Sequence, residues 1–191
     1  MNFFKSALLA TLVLAGSASA GVIDFEHADA YGIPGGPNYD NTPINTQGFS
    51  FSANTIVLDV TTGVYSGDGP AHSGSFVGVN DFGGAVVMTA TNGGLFSLQN
   101  FWIHGFLGDA FDGSVMGYLN GALVGTVGLS TGASWQNVVA GFSQVDRIVI
   151  DAGGSFLVDD IDATISAVPE PASVALLGLG LAGLMLARRR G

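Results

Sequence analysis

The chain has 191 residues, 48% hydrophobic and only 10% charged, with 30 glycines and no cysteine. The lack of cysteine excludes a disulfide framework, a thiol nucleophile and a Cys-ligated zinc site. Residues 21–166 hold fourteen of the fifteen acids and one cation, Arg147, a formal charge near −13. Such a stretch lacks the clustered Lys and Arg that nucleic acid requires as a partner. It suits calcium or a neutral polymer such as polysaccharide, although acidity also serves plain solubility.

In chain order, the first element is an address. Lys5 supplies a positive start, Ala7–Ala15 is apolar, and Ala18-Ser19-Ala20 is an A-x-A site. This order predicts a signal peptide over residues 1–20, removed by signal peptidase so that the mature chain begins at Gly21.

Residues 21–166 are predicted to form one domain, a size that buries a core without staples. Short β-branched and aromatic runs, broken by Gly, Asn, Asp and Ser, predict strands near Val22–Glu26, Phe49–Ala53, Ile56–Val60, Ser75–Val79, Ala85–Thr91 and Leu98–His104. Further strands are expected near Val115–Asn120, Ala122–Val127, Trp135–Val139, Arg147–Asp151 and Phe156–Ile165. No segment shows a helical period, so the fold class is all-β, an antiparallel β-sandwich or barrel. Asn120-Gly121 between apolar runs predicts a type I′ hairpin. Asp29–Gln47, with Pro34, Pro37 and Pro43, reads as a long surface loop. No repeat of 20–50 residues occurs, and Thr89-Ala90-Thr91 is the lone T-x-T. Both facts weigh against an ice-binding β-helix.

The last element is Val168-Pro169-Glu170-Pro171, then sixteen apolar or small residues, Ala172–Ala187, then Arg188, Arg189 and Arg190. A helix of that length rises about 24 Å against a hydrocarbon core of about 30 Å, and arginine snorkelling with local thinning closes the gap. A single transmembrane helix is therefore expected, arginines on the cytoplasmic side and residues 21–166 outside. This arrangement over 167–191 resembles the PEP-CTERM sorting signal of Gram-negative bacteria. The resemblance implies an exosortase-type membrane enzyme that recognises Pro169, Glu170 and Pro171, and delivery to the cell surface or an exopolysaccharide matrix, as in a biofilm. The same tail is attached to many unrelated domains.

The body carries a resemblance of its own. Ile23-Asp24-Phe25-Glu26 opens it; Phe142–Ile150 and Phe156-Leu157-Val158-Asp159-Asp160-Ile161 close it. The pattern is similar to the jelly-roll domains of PEP-CTERM cargo, which resemble carbohydrate-binding modules.

Two constellations are candidates for chemistry. Period-two alternation sets Asp24 and Glu26 on one face of the first strand, and Asp160 and Asp162 on one face of the last, with Asp159 on the other. If the two strands pair, opposed carboxylates repel, and a structural Ca²⁺ would neutralise them. The alternative is that these acids are solvated. Separately, Trp102 and His104 share a strand face with Phe106, and Tyr31 and Tyr39 lie in the long loop; aromatic faces stack on sugar rings. The alternative for Trp102 is core packing, as for Trp135.

Enzymatic signals are weak. Gly128-Leu129-Ser130-Thr131-Gly132 fits G-x-S-x-G but follows a hairpin rather than a strand-to-helix turn. Glu26 is the sole glutamate in residues 21–166, so a glycoside hydrolase would have to use an aspartate pair. His27, His72 and His104 have no zinc spacing. The reading is a non-enzymatic, exported jelly-roll-like protein, structural or adhesive in exopolysaccharide, with a carbohydrate-binding module as the alternative.

Overall fold

A computed structural model describes residues 20–28, 43–61, 70–80 and 83–166. The alternating sequence forms twelve strands there: β1 (Ala20–Ile23), β2 (Ile44–Thr46), β3 (Phe49–Phe51), β4 (Thr55–Asp59), β5 (Phe76–Asn80), β6 (Val86–Ala90), β7 (Phe96–Gly105), β8 (Asp112–Leu119), β9 (Ala122–Ser130), β10 (Gln136–Val145), β11 (Arg147–Asp151) and β12 (Phe156–Ile165). A 3-10 turn follows β7 at Phe106–Gly108.

The strands make two antiparallel sheets. The first runs β10-β7-β12-β5-β4, with β1 also on β12; the second runs β2-β3-β6-β11-β8-β9. Strand β12 is paired on both sides. β7 follows it from Phe156 to Ile165. On the opposite side β5 takes Leu157 and Val158, and β1 takes Ile161–Thr164. The pairing of first and last strands on which the calcium constellation was conditional is thus present.

Side chains from both sheets fill the space between them, among them Phe49, Phe51, Met88, Ile148 and Ile150 from the second and Phe96, Phe101, Ile103, Phe156 and Val158 from the first. This is the usual arrangement of a β-sandwich, each inner face burying alternate residues. A second apolar group, Ile56, Leu58, Val77, Val79 and Leu157, lies on the outer face of the first sheet. It is why β4 and β5 are buried on both faces.

Three details differ from the sequence expectation. Residues Ile44–Thr46, placed in the long loop, are strand β2; Gln47 (φ 47°) and Gly48 (φ 86°) turn it tightly into β3. Asn120 (φ 51°) and Gly121 (φ 80°) make the expected type I′ turn of β8 and β9. β10 continues to Val145, because register shifts on either side of Phe142 let it bend and stay paired with β7.

The third difference is at β1, which ends at Ile23 rather than Glu26. Phe25 adopts φ 61° and buries its ring completely, tilted against Phe51 with ring centroids 5.3 Å apart. Room for that ring exists because residue 78 is glycine: a Cβ there would lie 2.6 Å from the Phe25 ring.

This contact makes a quantitative prediction. Phe25→Ala should destabilise the protein by about 3–5 kcal/mol, and Gly78→Ala by about 1–3 kcal/mol through overpacking. In denaturant titrations the double variant should lose clearly less than the two separate losses together, because Gly78→Ala then fills the space the ring leaves.

Candidate functional site

Three of the residues singled out for chemistry, Asp160, Trp102 and His104, lie near one another on the outer face of the first sheet, linked through His72 and Trp135. A bulge in β12 brings Asp160 there. Phe156 and Val158 point into the core, as do Ile161 and Ala163, so the alternation slips by one between them. The pairing with β7 shifts register between Asp159 and Asp162, and Asp160 takes φ 44°. A bulge inserts one extra residue and re-aims the side chains beside it.

Asp159 therefore does not point away from Asp160, as strict alternation predicts. Both reach the segment His72–Ser73. The N–H groups of His72 and Ser73 donate to Asp159 Oδ2 at 2.9 and 3.0 Å. His72 Nδ1–H donates to Asp160 Oδ2 at 2.6 Å, and Ser73 Oγ–H to Asp160 Oδ1 at 2.7 Å. Three residues on, the N–H groups of Ser75 and Phe76 donate to Glu26 Oε1 at 2.6 and 2.8 Å. One short segment thus supplies donors to three carboxylates.

That arrangement corrects the calcium constellation. Asp24, Glu26, Asp160 and Asp162 do not gather: among the described residues no three His, Asp or Glu side chains are placed to hold a metal. Asp24 Oδ1 accepts the N–H of Glu26, and Asp162 Oδ2 accepts from Asn100 Nδ2 at 3.3 Å. Backbone and side-chain donors bind these carboxylates individually instead.

Asp159 is fully buried. Burial pushes its carboxyl up to about 7; the Asp160 charge adds to this, while the N–H donors from Ser73, Asp160 and His72 pull it down. Removing a carboxylate from water disfavours its charge more than three donors restore it.

Around these acids lies an aromatic group. The His72 imidazole stacks on Trp102, with centroids 3.9 Å apart and planes at 18°. Trp135 meets His72 edge-on at 5.7 Å and lies 5.4 Å from His104. Trp135 Nε1–H donates to Pro70 O. Trp102 is half-buried, with one ring face taken by His72. His104 is buried and its Nδ1–H donates to Gly105 O at 2.7 Å. Next to Trp102 runs a polar row across three strands: Asn137 Nδ2 donates to Asn100 Oδ1, and Asn100 to Asp162. Asn137 also lines an open concavity of about 530 Å³ with Gln136, Val139, Ser130 and Asp112. Ser130, of the G-x-S-x-G stretch, donates from Oγ to Gln136 Oε1.

The other candidates, namely Ala18 in the signal sequence, Tyr31 and Tyr39, and the tail residues Pro169, Glu170, Pro171, Arg188, Arg189 and Arg190, lie outside the described residues. The expected transmembrane helix does too; among the described residues no helix is long and apolar enough to cross a membrane.

The tail has its own signature in the Pro-Glu-Pro entry, the apolar stretch and the arginine end. Residues 167–190 match the PEP-CTERM protein-sorting motif. A PEP-CTERM motif indicates export and membrane-associated sorting. No curated protein matches the chain. Among solved structures, that of TmCBM61 in complex with beta-1,4-galactotriose is similar at 17% identity and a TM-score of 0.37, over 63% of this chain and 90% of that one. The sandwich assignment rests on the strand pairing itself.

Sequence reasoning missed His72, Asn100 and Asn137, and assigned Trp135 to the core. No local signal links Asp159-Asp160 to His72-Ser73, which lie 86 to 88 positions away in the chain.

The raised Asp159 carboxyl has a sign that can be checked. Between the unfolded value near 4 and about 7 the folded state binds the extra proton, so this group's contribution to stability is greatest at low pH and falls as pH rises through that window. In thermal melts from pH 4.5 to 8, Asp159→Asn should flatten the fall seen in the parent protein.

Proposed function

We propose that this is an exported, non-catalytic protein whose β-sandwich body is delivered by its PEP-CTERM tail to the cell surface or extracellular matrix. Its role there is structural or adhesive, within or against exopolysaccharide. The observation that carries this reading is the motif at 167–190, together with its position. The sandwich ends at Ile165, and Ser166 N–H still donates to Leu95 O. Processing at Pro169-Glu170-Pro171 by an exosortase-type enzyme would therefore leave every strand intact. Proline fixes φ and lacks an N–H, so the site resists incorporation into a helix or a sheet interior.

At the other end, signal-peptidase cleavage before Gly21 would shorten β1 by Ala20 and keep the pairing of Gly21, Val22 and Ile23 with β12. The non-catalytic reading draws support from what the polar groups touch. Ser130 meets a glutamine amide rather than a base, and Asp159 and Asp160 are engaged by the 72–73 segment.

Fractionation of cells making the full chain or a chain ending at Ser166, with mass spectrometry of the mature termini, tests this. The full chain should reach the surface or matrix fraction with a new C-terminus near Pro169–Pro171 and an N-terminus at Gly21. The shortened chain should miss that fraction. Retention of an intact 167–191 tail on surface material, or a cytosolic body, would refute the proposal.

A second reading, carbohydrate binding, is favoured by one arrangement: the hydrogen-bonded row Asn137–Asn100–Asp162 beside Trp102 and the open concavity that Asn137 shares. Aromatic rings flanked by fixed polar groups suit sugar recognition. On a glycan array, Trp102→Ala and Asn137→Ala should each lower binding by about tenfold; signal that survives both places the sugar elsewhere, and no signal from the parent removes the reading.

A further inference from the structure

Sheet edges expose backbone N–H and C=O groups that another strand can pair with, and soluble proteins blunt them by brevity, charge, proline or bulges. Most edges of this sandwich are blunted. β2 has three residues and β1 has four. β4 has five and ends on Asp59. β10 is long but broken by two register shifts. β9 is the exception. It runs nine residues, Ala-Leu-Val-Gly-Thr-Val-Gly-Leu-Ser, without a charge or a proline. Among the described residues it pairs only with β8, and its one irregularity lies near the turn. Leu123 and Val124 are 56% and 51% exposed.

We infer that β9 is the surface through which two copies of this chain associate, antiparallel about a two-fold axis at Thr126, joining the second sheets of the pair edge to edge. The strand complements its own reverse. That register sets Thr126 opposite Thr126, Gly125 opposite Val127 and Val124 opposite Gly128, so each valine faces a glycine. Threonine pairs across antiparallel strands are favourable.

Gly128 gives an independent pointer. Glycine weakens a strand and often marks the close approach of another backbone. Gly125 has an internal reason, since a Cβ there would press on the Phe142 ring at 2.9 Å. Gly128 has none, with nothing within 4 Å of its Cβ position. In the paired register it receives Val124 of the second copy.

Charge restricts where a second copy can approach. Residues 21–166 carry a formal charge near −13, so two such bodies repel over most orientations. Contact along β9 opposes no like charges. A two-fold contact uses each edge once and closes at the dimer.

The natural chain has no cysteine, which makes the test clean. Directly opposed residues of an antiparallel pair have Cα atoms about 4.5–5.5 Å apart, within disulfide range. In the full chain, kept soluble in mild detergent, Thr126→Cys should form a covalent dimer on gentle oxidation. Val139→Cys, on the β10 edge where the side chain is 72% exposed, should stay monomeric under the same conditions. By light scattering the parent should be dimeric, and Thr126→Lys, which opposes two ammonium groups, should raise the dissociation constant by about tenfold with an unchanged melt. Failure of Thr126→Cys to cross-link, or equal cross-linking by Val139→Cys, overturns the inference, as does Thr126→Lys with unchanged mass. Should Thr126→Lys melt lower than the parent, the cysteine result decides alone. None of these outcomes bears on sorting, which the mature termini report separately.

Discussion

Everything in the first sheet depends on β12 having neighbours along both of its sides. β7 occupies one side from end to end, and β5 and β1 share the other. Between their two contact zones lies the bulge at Asp159-Asp160. The bulge is needed because β12 must keep apolar residues inward on both halves, Phe156 and Val158 before it and Ile161 and Ala163 after it. Its by-product is a pair of adjacent carboxylates aimed at the outer face. These organise the rest of that face by capturing the N–H groups and side chains of His72 and Ser73.

The captured segment explains why an aromatic group exists on that face at all. His72 held by Asp160 lies flat on Trp102, and the tie from Trp135 to Pro70 brings the second indole over. The acids are therefore structural anchors first. Their negative charge is opposed by hydrogen-bond donors drawn from a single strand approach, an economical way to fix a loop over a sheet in a chain with one cation in residues 21–166.

Much of the fold was legible because it follows local rules. Alternation located eleven of the strands, and Asn120-Gly121 announced its own turn. The pairing of first and last strands entered only as a condition of the calcium constellation, and it is present in the fold. What escaped was non-local or parity-breaking. β2 has only three residues and its turn carries Gln47-Gly48 rather than Asn-Gly, so Pro43 and its neighbours dominated the local signal. Period-two reasoning assigned Asp159 to the wrong face because it ran straight through a change of parity, inward at 156 and 158 and then at 161 and 163, that marks the bulge. His72 joins Asp160 across 88 positions, a relation that needs the folded sheet to exist. Trp135 looked like core because it precedes an apolar run, yet its ring lies outside the main interior, against His72 and His104.

The central place of β12 has a bearing on the order of events during secretion. A polypeptide threaded through a translocation channel from its amino end would present β1, β5 and β7 long before the strand that links them. β1 would have no partner, and the pairs β4–β5 and β7–β10 would lack the strand that joins them, until Phe156–Ile165 came through, when nearly all of residues 21–166 were already across. The sorting motif begins two residues after Ile165, so completion of the sandwich and arrival of the tail at the channel are nearly simultaneous. Newly translocated molecules would thus remain unclosed for most of their passage and become resistant to proteases beyond the membrane only at its last moment.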